Sequence, residues 1–186
     1  RWMMKEAMGK CSEIRKILSG FRMSINISQV QASKSDVIQD ISAEMKRTGL
    51  PLEAVIVELT ESDLLEQNIN EKHFLTELKR MGISLALDDF GTGYSNFHYL
   101  SELKPEIIKI DRSFTAKAVA DEQEYYLQNQ FCTMIHNLDM KICIEGIESA
   151  QEWLKIRKLC PEFTQGYFWG KPCGYEEFVR KFVQEK

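Results

Sequence analysis

Short runs of β-branched and aliphatic residues alternate with stretches of helical period along the whole of this 186-residue chain, and that alternation restricts the fold more than any other feature. A first helical stripe (Trp2, Met3, Ala7, Met8, Cys11, Ile14, Ile17, Leu18) is followed by a strand predicted over residues 21–27. Residues 35–47 then carry apolar side chains at Val37, Ile38, Ile41 and Met45, a helix closed by Gly49 and Pro51. The unit recurs with a strand over 54–59 and a helix over 70–81, and with a strand over 83–87 and a short helix over 95–103. A strand over 107–110 precedes one long helix over 116–138, a strand over 141–144 precedes a helix over 150–159, and a strand over 163–166 precedes a helix over 175–183. Gly82, Gly91, Gly93 and Pro105 punctuate these elements.

Six strands, each followed by a helix, imply a parallel sheet covered by helices, either an open doubly wound sheet or a closed barrel. No Gly-x-Gly-x-x-Gly follows a first strand, which weakens the open nucleotide-binding option. The fold class expected is α/β, a TIM-like (β/α) barrel. Such a barrel takes about 250 residues and eight strands. Six strands after an initial helix therefore predict an incomplete barrel with two strands upstream. The chain starts at Arg1, in what already reads as a helix. Residues 1–186 are read as one domain, the C-terminal three quarters of the barrel.

Composition narrows the function classes. No stretch approaches the roughly 18 to 20 apolar residues of a membrane span, and the N-terminus lacks the apolar core of a secretion signal. Five scattered cysteines (Cys11, Cys132, Cys143, Cys160, Cys173), with no Cys-x-x-Cys spacing, suggest neither a disulfide framework nor a zinc site and suit a reducing cytoplasm. A net charge of −4 without a basic run argues against a nucleic-acid polymer as partner. Any phosphate ligand must then be held by a local device.

In such barrels chemistry sits at the C-terminal ends of the strands. Those ends carry Asn26, then Glu58 and Glu61, then Asp88 and Asp89, then Lys109 and Asp111, then Glu145 and Glu148, and finally Gln165. Carboxylates converging at about 4 Å repel by roughly 4 kcal/mol per pair at an effective dielectric near 20, so they must protonate, meet cations or bind metal. A set of oxygen donors suits Mg²⁺ or Mn²⁺, whereas the histidines (His73, His98, His136) fall away from the strand ends. Adjacent strand residues point to opposite faces, so Asp88 and Asp89 share a site only if the chain bends, as Gly91 and Gly93 would permit. An aspartate there could bridge two metals. Lys109, among isoleucines, needs an acid; Asp111, two residues on, lies on its face, and other acids cluster at the strand ends.

Each residue also has an ordinary structural reading. Asp-Asp after a strand is often a cap or turn, Asn26 a turn residue, Glu58 a satisfied interior acid, Gln165 a backbone-bonding amide, and Lys109 a structural ion pair. Those readings would have to recur at six consecutive strand ends. Trp2, Trp153 and Trp169 read as packing residues and the methionines as core filler.

The segments SINIS, VELTES, LALDDFGTGYS, LKPEIIKIDRSF, CIEGIES and TQGYFWGKP resemble the successive motifs of the EAL-domain family of bacterial cyclic-di-GMP phosphodiesterases. The resemblance implies a β/α barrel that linearises cyclic di-GMP to pGpG with two divalent ions. Asn26, Glu58 and Asp88 resemble the family's metal ligands, and Asp89 reaches the second metal. Lys109 resembles the lysine that contacts the nucleophilic water, Glu145 a metal ligand or general base, and Gln165 a supporting amide. Glu61 resembles the glutamate that anchors the loop 90–95. A homodimer and an upstream sensory or GGDEF domain are implied, with a membrane anchor for the parent protein open. The Glu-Ala-Leu tripeptide that names the family does not occur in this sequence. The alternative is therefore a catalytically inactive module binding cyclic di-GMP or a protein partner; an enzyme acting on another phosphate ester is a third reading.

Overall fold

The computed structural model describes residues 1–33, 36–61, 69–91, 100 and 103–184. Labels run in chain order over these residues: α1 (Trp2–Arg15), β1 (Met23–Asn26), α2 (Gln29–Ala32), α3 (Val37–Thr48), β2 (Val55–Thr60), α4 (Ile69–Met81), β3 (Ser84–Phe90), β4 (Ile107–Ile110), α5 (Arg112–Ala120), α6 (Glu122–Asn137), β5 (Lys141–Ile144), α7 (Ala150–Ile156), β6 (Phe163–Thr164) and α8 (Tyr175–Phe178). The six strands form one sheet in sequence order. The pairings β1–β2, β3–β4, β4–β5 and β5–β6 are parallel. This is the α/β architecture read from the alternation, since a right-handed helical return from each strand sets the next one beside it. The short helix expected over 95–103 falls outside the described residues except for Leu100 and Leu103, as do Gly93 and His98.

Two compact units are distinguished: Arg1–Glu58 with Glu66–Leu85 and Pro172–Lys186, and Leu59–Leu65 with Ala86–Lys171. In the first, α1 packs on α3. The buried faces are Met4, Met8, Cys11 and Ile14 from α1, and Val37, Ile41 and Met45 from α3, a spacing of three to four residues on each helix. Trp2 and Met3 do not join that face; they are 72% and 75% exposed, so the buried stripe of α1 starts at Met4 and Trp2 packs no core. Tyr175 of α8 donates a 2.6 Å hydrogen bond to Glu13 of α1, and Lys10 covers its ring.

In the second unit β4 and β5 form the apolar centre, with Ile108, Ile110, Ile142 and Ile144 fully buried. Strands covered on both faces read as continuous apolar runs, which is why IIKI and KICI lack alternation. The single helix expected over 116–138 is two. Asp121 is extended at φ −133° and ψ 136°, and its carboxylate accepts from the N–H groups of Gln123 and Glu124 at 2.8 and 3.0 Å. The cap offers the backbone a better partner than helix continuation, and the chain breaks there. Ser149 and Glu152 close a reciprocal capping box at the start of α7. Trp153 packs edge-on against Trp169 at 5.4 Å, yet Trp169 stays 45% exposed and so is only partly a packing residue. Among the described residues no helix is long and apolar enough to cross a membrane.

Candidate active site

The strand ends of the first unit carry Asn26 and Glu58. Parallel pairing sets these two residues directly opposite each other, and the Ile27 N–H continues the ladder to the Glu58 carbonyl at 3.0 Å. Glu58 is buried and Asn26 exposed. A buried carboxylate near the end of an apolar strand needs a partner for its charge, and Glu58 is not without an interaction in the structure.

In the second unit Asp88 and Asp89 lie just before Phe90, the last residue of β3. The bend that brings both to one side lies at Asp89 itself, two residues before the first of those glycines. Asp89 has φ +53°, and the β3–β4 register slips between Leu87 and Phe90. This is the signature of a bulge, which re-aims a side chain at the cost of ladder pairing. Its flanks are pinned: Phe90 is buried and stacks on Phe131 at 5.2 Å, and the Gly91 N–H donates to the Glu61 Oε2 at 2.9 Å. Glu61 is buried, and its Oε1 has no hydrogen-bond partner among the described residues.

Lys109 of β4, also buried, places Nζ 2.9 Å from the Asp88 Oδ1 and 2.9 Å from the Glu145 Oε1. At an effective dielectric near 20 each contact is worth roughly 6 kcal/mol of Coulomb attraction before desolvation. Of the acids offered, Asp88 and Glu145 are the ones that pair with it. Asp111 instead caps α5, accepting from the Ser113 N–H at 2.9 Å. Burial pulls the Asp111 carboxyl upward, but the hydrogen bonds from Ser113, with the hydrogen bond and charge of Arg112, together hold it below the usual carboxylate range.

Carboxylate oxygens of Asp88, Asp89 and Glu145 all lie within 4.8 Å of one another. Burial first, and then the charges of Asp88 and Asp111, push the Asp89 carboxyl up, against the pull of Lys109. A cation relieves this repulsion. Three carboxylates against one ammonium leave a net charge of about −2, and the donors are all oxygen, so the residues present fit a hard divalent ion. Glu145 follows β5; its N–H donates to the Ile110 carbonyl and its carbonyl accepts from the Thr115 hydroxyl at 2.6 Å. Thr115 carries no motif that marks it in the sequence. Glu148 pairs with Arg112 at 3.0 Å. Gln165 extends the β5–β6 ladder by one bond, its N–H donating to the Ile144 carbonyl at 2.9 Å, and its side chain is exposed.

A cavity of about 570 Å³ lies in the first unit between α3 and α4, lined by Ile38, Lys46, His73, Glu77 and Arg80 among others. It holds none of the strand-end acids, and Glu77 is already paired with Arg80 at 2.8 Å.

The family profile described as EAL domain matches residues 1–172. The cyclic di-GMP phosphodiesterase NbdA of Pseudomonas aeruginosa is 30% identical over 189 residues, which is 97% of this chain and 24% of NbdA. The crystal structure of the EAL domain of Mycobacterium smegmatis DcpA superposes with a TM-score of 0.91 at 27% identity, covering 100% of this chain and 84% of that one. A PaMucR phosphodiesterase structure in complex with c-di-GMP gives a TM-score of 0.84 at 27% identity, covering 95% and 77%. The chain spans about a quarter of the length of the first curated relatives it matches. With the six-stranded parallel sheet and the acids on its strand ends, the match over residues 1–172 establishes that this chain belongs to the EAL domain family.

Proposed function

We propose that the chain hydrolyses cyclic di-GMP to linear pGpG with divalent metal ions, Mg²⁺ or Mn²⁺, held on its strand-end acids. The observation that carries this reading is Lys109, bridging Asp88 and Glu145 at 2.9 Å each within a cluster that also contains Asp89. The names of NbdA, PdeD and the PaMucR complex support cyclic di-GMP as the ligand. Bound divalent ions supply Lewis acidity toward the phosphodiester and lower the pKa of a bound water.

The protein's own groups then have distinct tasks. Asp88, Asp89 and Glu145 hold cation charge in the second unit, and Asn26 and Glu58 supply the oxygen donors of the first. Lys109 orients the attacking water and offsets negative charge developing on the phosphorane oxygens, a task suited to an ammonium already fixed by two acids. Glu145 serves as metal ligand or accepts the proton of that water on this reading. Glu61 holds the Gly91 backbone so that the Asp88–Asp89 turn keeps its shape. Asp111 supports the site by capping α5, whose first turn touches the Glu145 backbone. Gln165 is the exposed amide beside Glu145 on the next strand end. A homodimer, a cytoplasmic setting and an upstream sensory or GGDEF domain belong to the same reading; the name of MucR, a bifunctional diguanylate cyclase and cyclic di-GMP phosphodiesterase, supports only the pairing of the two activities in one protein.

The test is chromatographic detection of pGpG after incubating the chain with cyclic di-GMP and Mg²⁺ or Mn²⁺. Asp88→Ala and Glu58→Ala abolish product on this reading, whereas Cys160→Ser, an exposed thiol, leaves it unchanged. Wild-type turnover from Asp88→Ala would remove the metal-site assignment. Cyclic di-GMP binding without product would instead assign the chain to the binding-module alternative.

A further inference from the structure

Threonines inside helices usually turn their hydroxyl back to the carbonyl one turn earlier. Thr48, Thr76 and Thr133 do so here, donating to Glu44, Lys72 and Asn129 at 2.7 to 2.9 Å. Thr115, in the first turn of α5, does not. Its hydroxyl reaches across to β5 and donates to the Glu145 carbonyl at 2.6 Å, and the side chain is 1% exposed. A buried threonine that gives up its local partner for one 30 residues away is ordering the second segment as well as its own helix.

The place it reaches lies just past the last residue of β5, between the two main-chain bonds that Ile144 and Ile147 make to Gln165. Ile144 is the last residue of β5, and its carbonyl accepts from the Gln165 N–H. The Glu145 N–H is taken by Ile110. Beyond it the chain turns at Gly146 with φ +77°, where a Cβ would sit 2.4 Å from the Arg112 Cγ. Arg112 and Thr115 are three apart and so share one face of α5. That face is thus a template against which Glu145 and Gly146 are seated.

From this geometry we infer that Thr115 is a positioning residue for the acidic cluster: its hydroxyl fixes the Glu145 main chain so that the carboxylate points at the cation shared with Asp88 and Asp89. This rests on the reading of that cluster as a divalent-cation site. Groups that orient metal ligands from behind change metal affinity by about 10- to 100-fold when removed. Thr115→Val keeps the shape and deletes the donor; Thr115→Ser keeps the donor and deletes only the methyl.

The experiment is Mn²⁺ titration of the whole chain, with free Mn²⁺ counted by electron paramagnetic resonance and thermal unfolding recorded in EDTA for the same samples. Mn²⁺ affinity is expected to fall about tenfold or more in Thr115→Val and to return to within about threefold of wild type in Thr115→Ser. Wild-type affinity in Thr115→Val, with only its melting temperature lowered, would overturn the inference and leave Thr115 a structural donor. If Thr115→Val does not fold, Thr115→Ala against Thr115→Ser decides: weaker binding by Ala supports positioning, and equal binding overturns it. Asp88→Asn separates the two levels of the argument. If it holds Mn²⁺ as well as the wild type does, the reading of the cluster is wrong and the role of Thr115 falls with it. If it loses Mn²⁺ while Thr115→Val keeps it, Thr115 alone is wrong.

Discussion

Replacing Lys109 by methionine tests the electrostatics of the site without reference to substrate. The ammonium lies 2.9 Å from oxygens of both Asp88 and Glu145, and its side chain is almost wholly buried. Removing it deletes two attractions of roughly 6 kcal/mol each at an effective dielectric near 20 and leaves two carboxylates no more than 4.8 Å apart, which repel by roughly 3.5 kcal/mol. Desolvation and relaxation return most of this, and breaking a buried pair nets about 3–5 kcal/mol of destabilisation. In a chain of 186 residues that lowers the melting temperature by on the order of 10 °C. The assay is thermal unfolding by circular dichroism in EDTA and again in millimolar Mn²⁺. The variant is expected to melt about 10 °C below wild type in EDTA. It should also gain more from Mn²⁺ than wild type does, because the ion replaces the missing positive charge. A variant within about 2 °C of wild type in EDTA would refute the reasoning, since it would mean that these ion pairs contribute little to the fold.

Two further perturbations probe different physics. Gly146→Ala must place its Cβ 2.4 Å from the Arg112 Cγ at φ +77°, whereas Gly49→Ala meets open space at φ +67°. The second then costs only left-handed strain, about 1–2 kcal/mol; urea unfolding should find the first costlier, and equal losses would show that α5 does not press on Gly146. Burial pulls the Glu162 carboxyl upward, but the Ile142 N–H at 2.8 Å, its own N–H and His136 together hold it below its ordinary range. A carboxyl depressed in the folded state contributes stability that is present above its unfolded pKa, about 4.3, and is lost as pH falls through the lower folded value. The stability gap between wild type and Glu162→Gln should therefore narrow on acidification below about pH 5, and a gap constant with pH would contradict this.

Much of the candidate site is legible because its clues are local. A strand that ends in a polar residue is visible in five or six letters, and the parallel arrangement follows from strands spaced by helices. Asn26, Glu58, Asp88, Asp89, Lys109 and Glu145 were located that way, and DDFGTGYS with KIDRSF pointed to the family that the match over residues 1–172 established. What was misread was local too, but competitive. The period of residues 116–138 suits one helix, and nothing in it shows that the Asp121 carboxylate outbids the next turn. Residue type alone suggests packing for Trp2, whereas the buried face of α1 is set by what lies against it.

The sequence by itself determined the α/β class, the strand ends and the chemistry of the side chains on them, because helical and strand periodicities are properties of neighbouring residues. Only the tertiary structure decided which of those side chains meet. Lys109 could have paired with Asp111 two residues away, but the register of β3, β4 and β5 brings Asp88 and Glu145 to it and leaves Asp111 to cap a helix. The bulge that turns Asp89 toward Asp88, and the hydroxyl of Thr115 on the Glu145 carbonyl, are likewise contacts between segments. Such contacts depend on distances held to within a few tenths of an ångström between segments far apart in the chain, and no pattern in a single sequence encodes a distance.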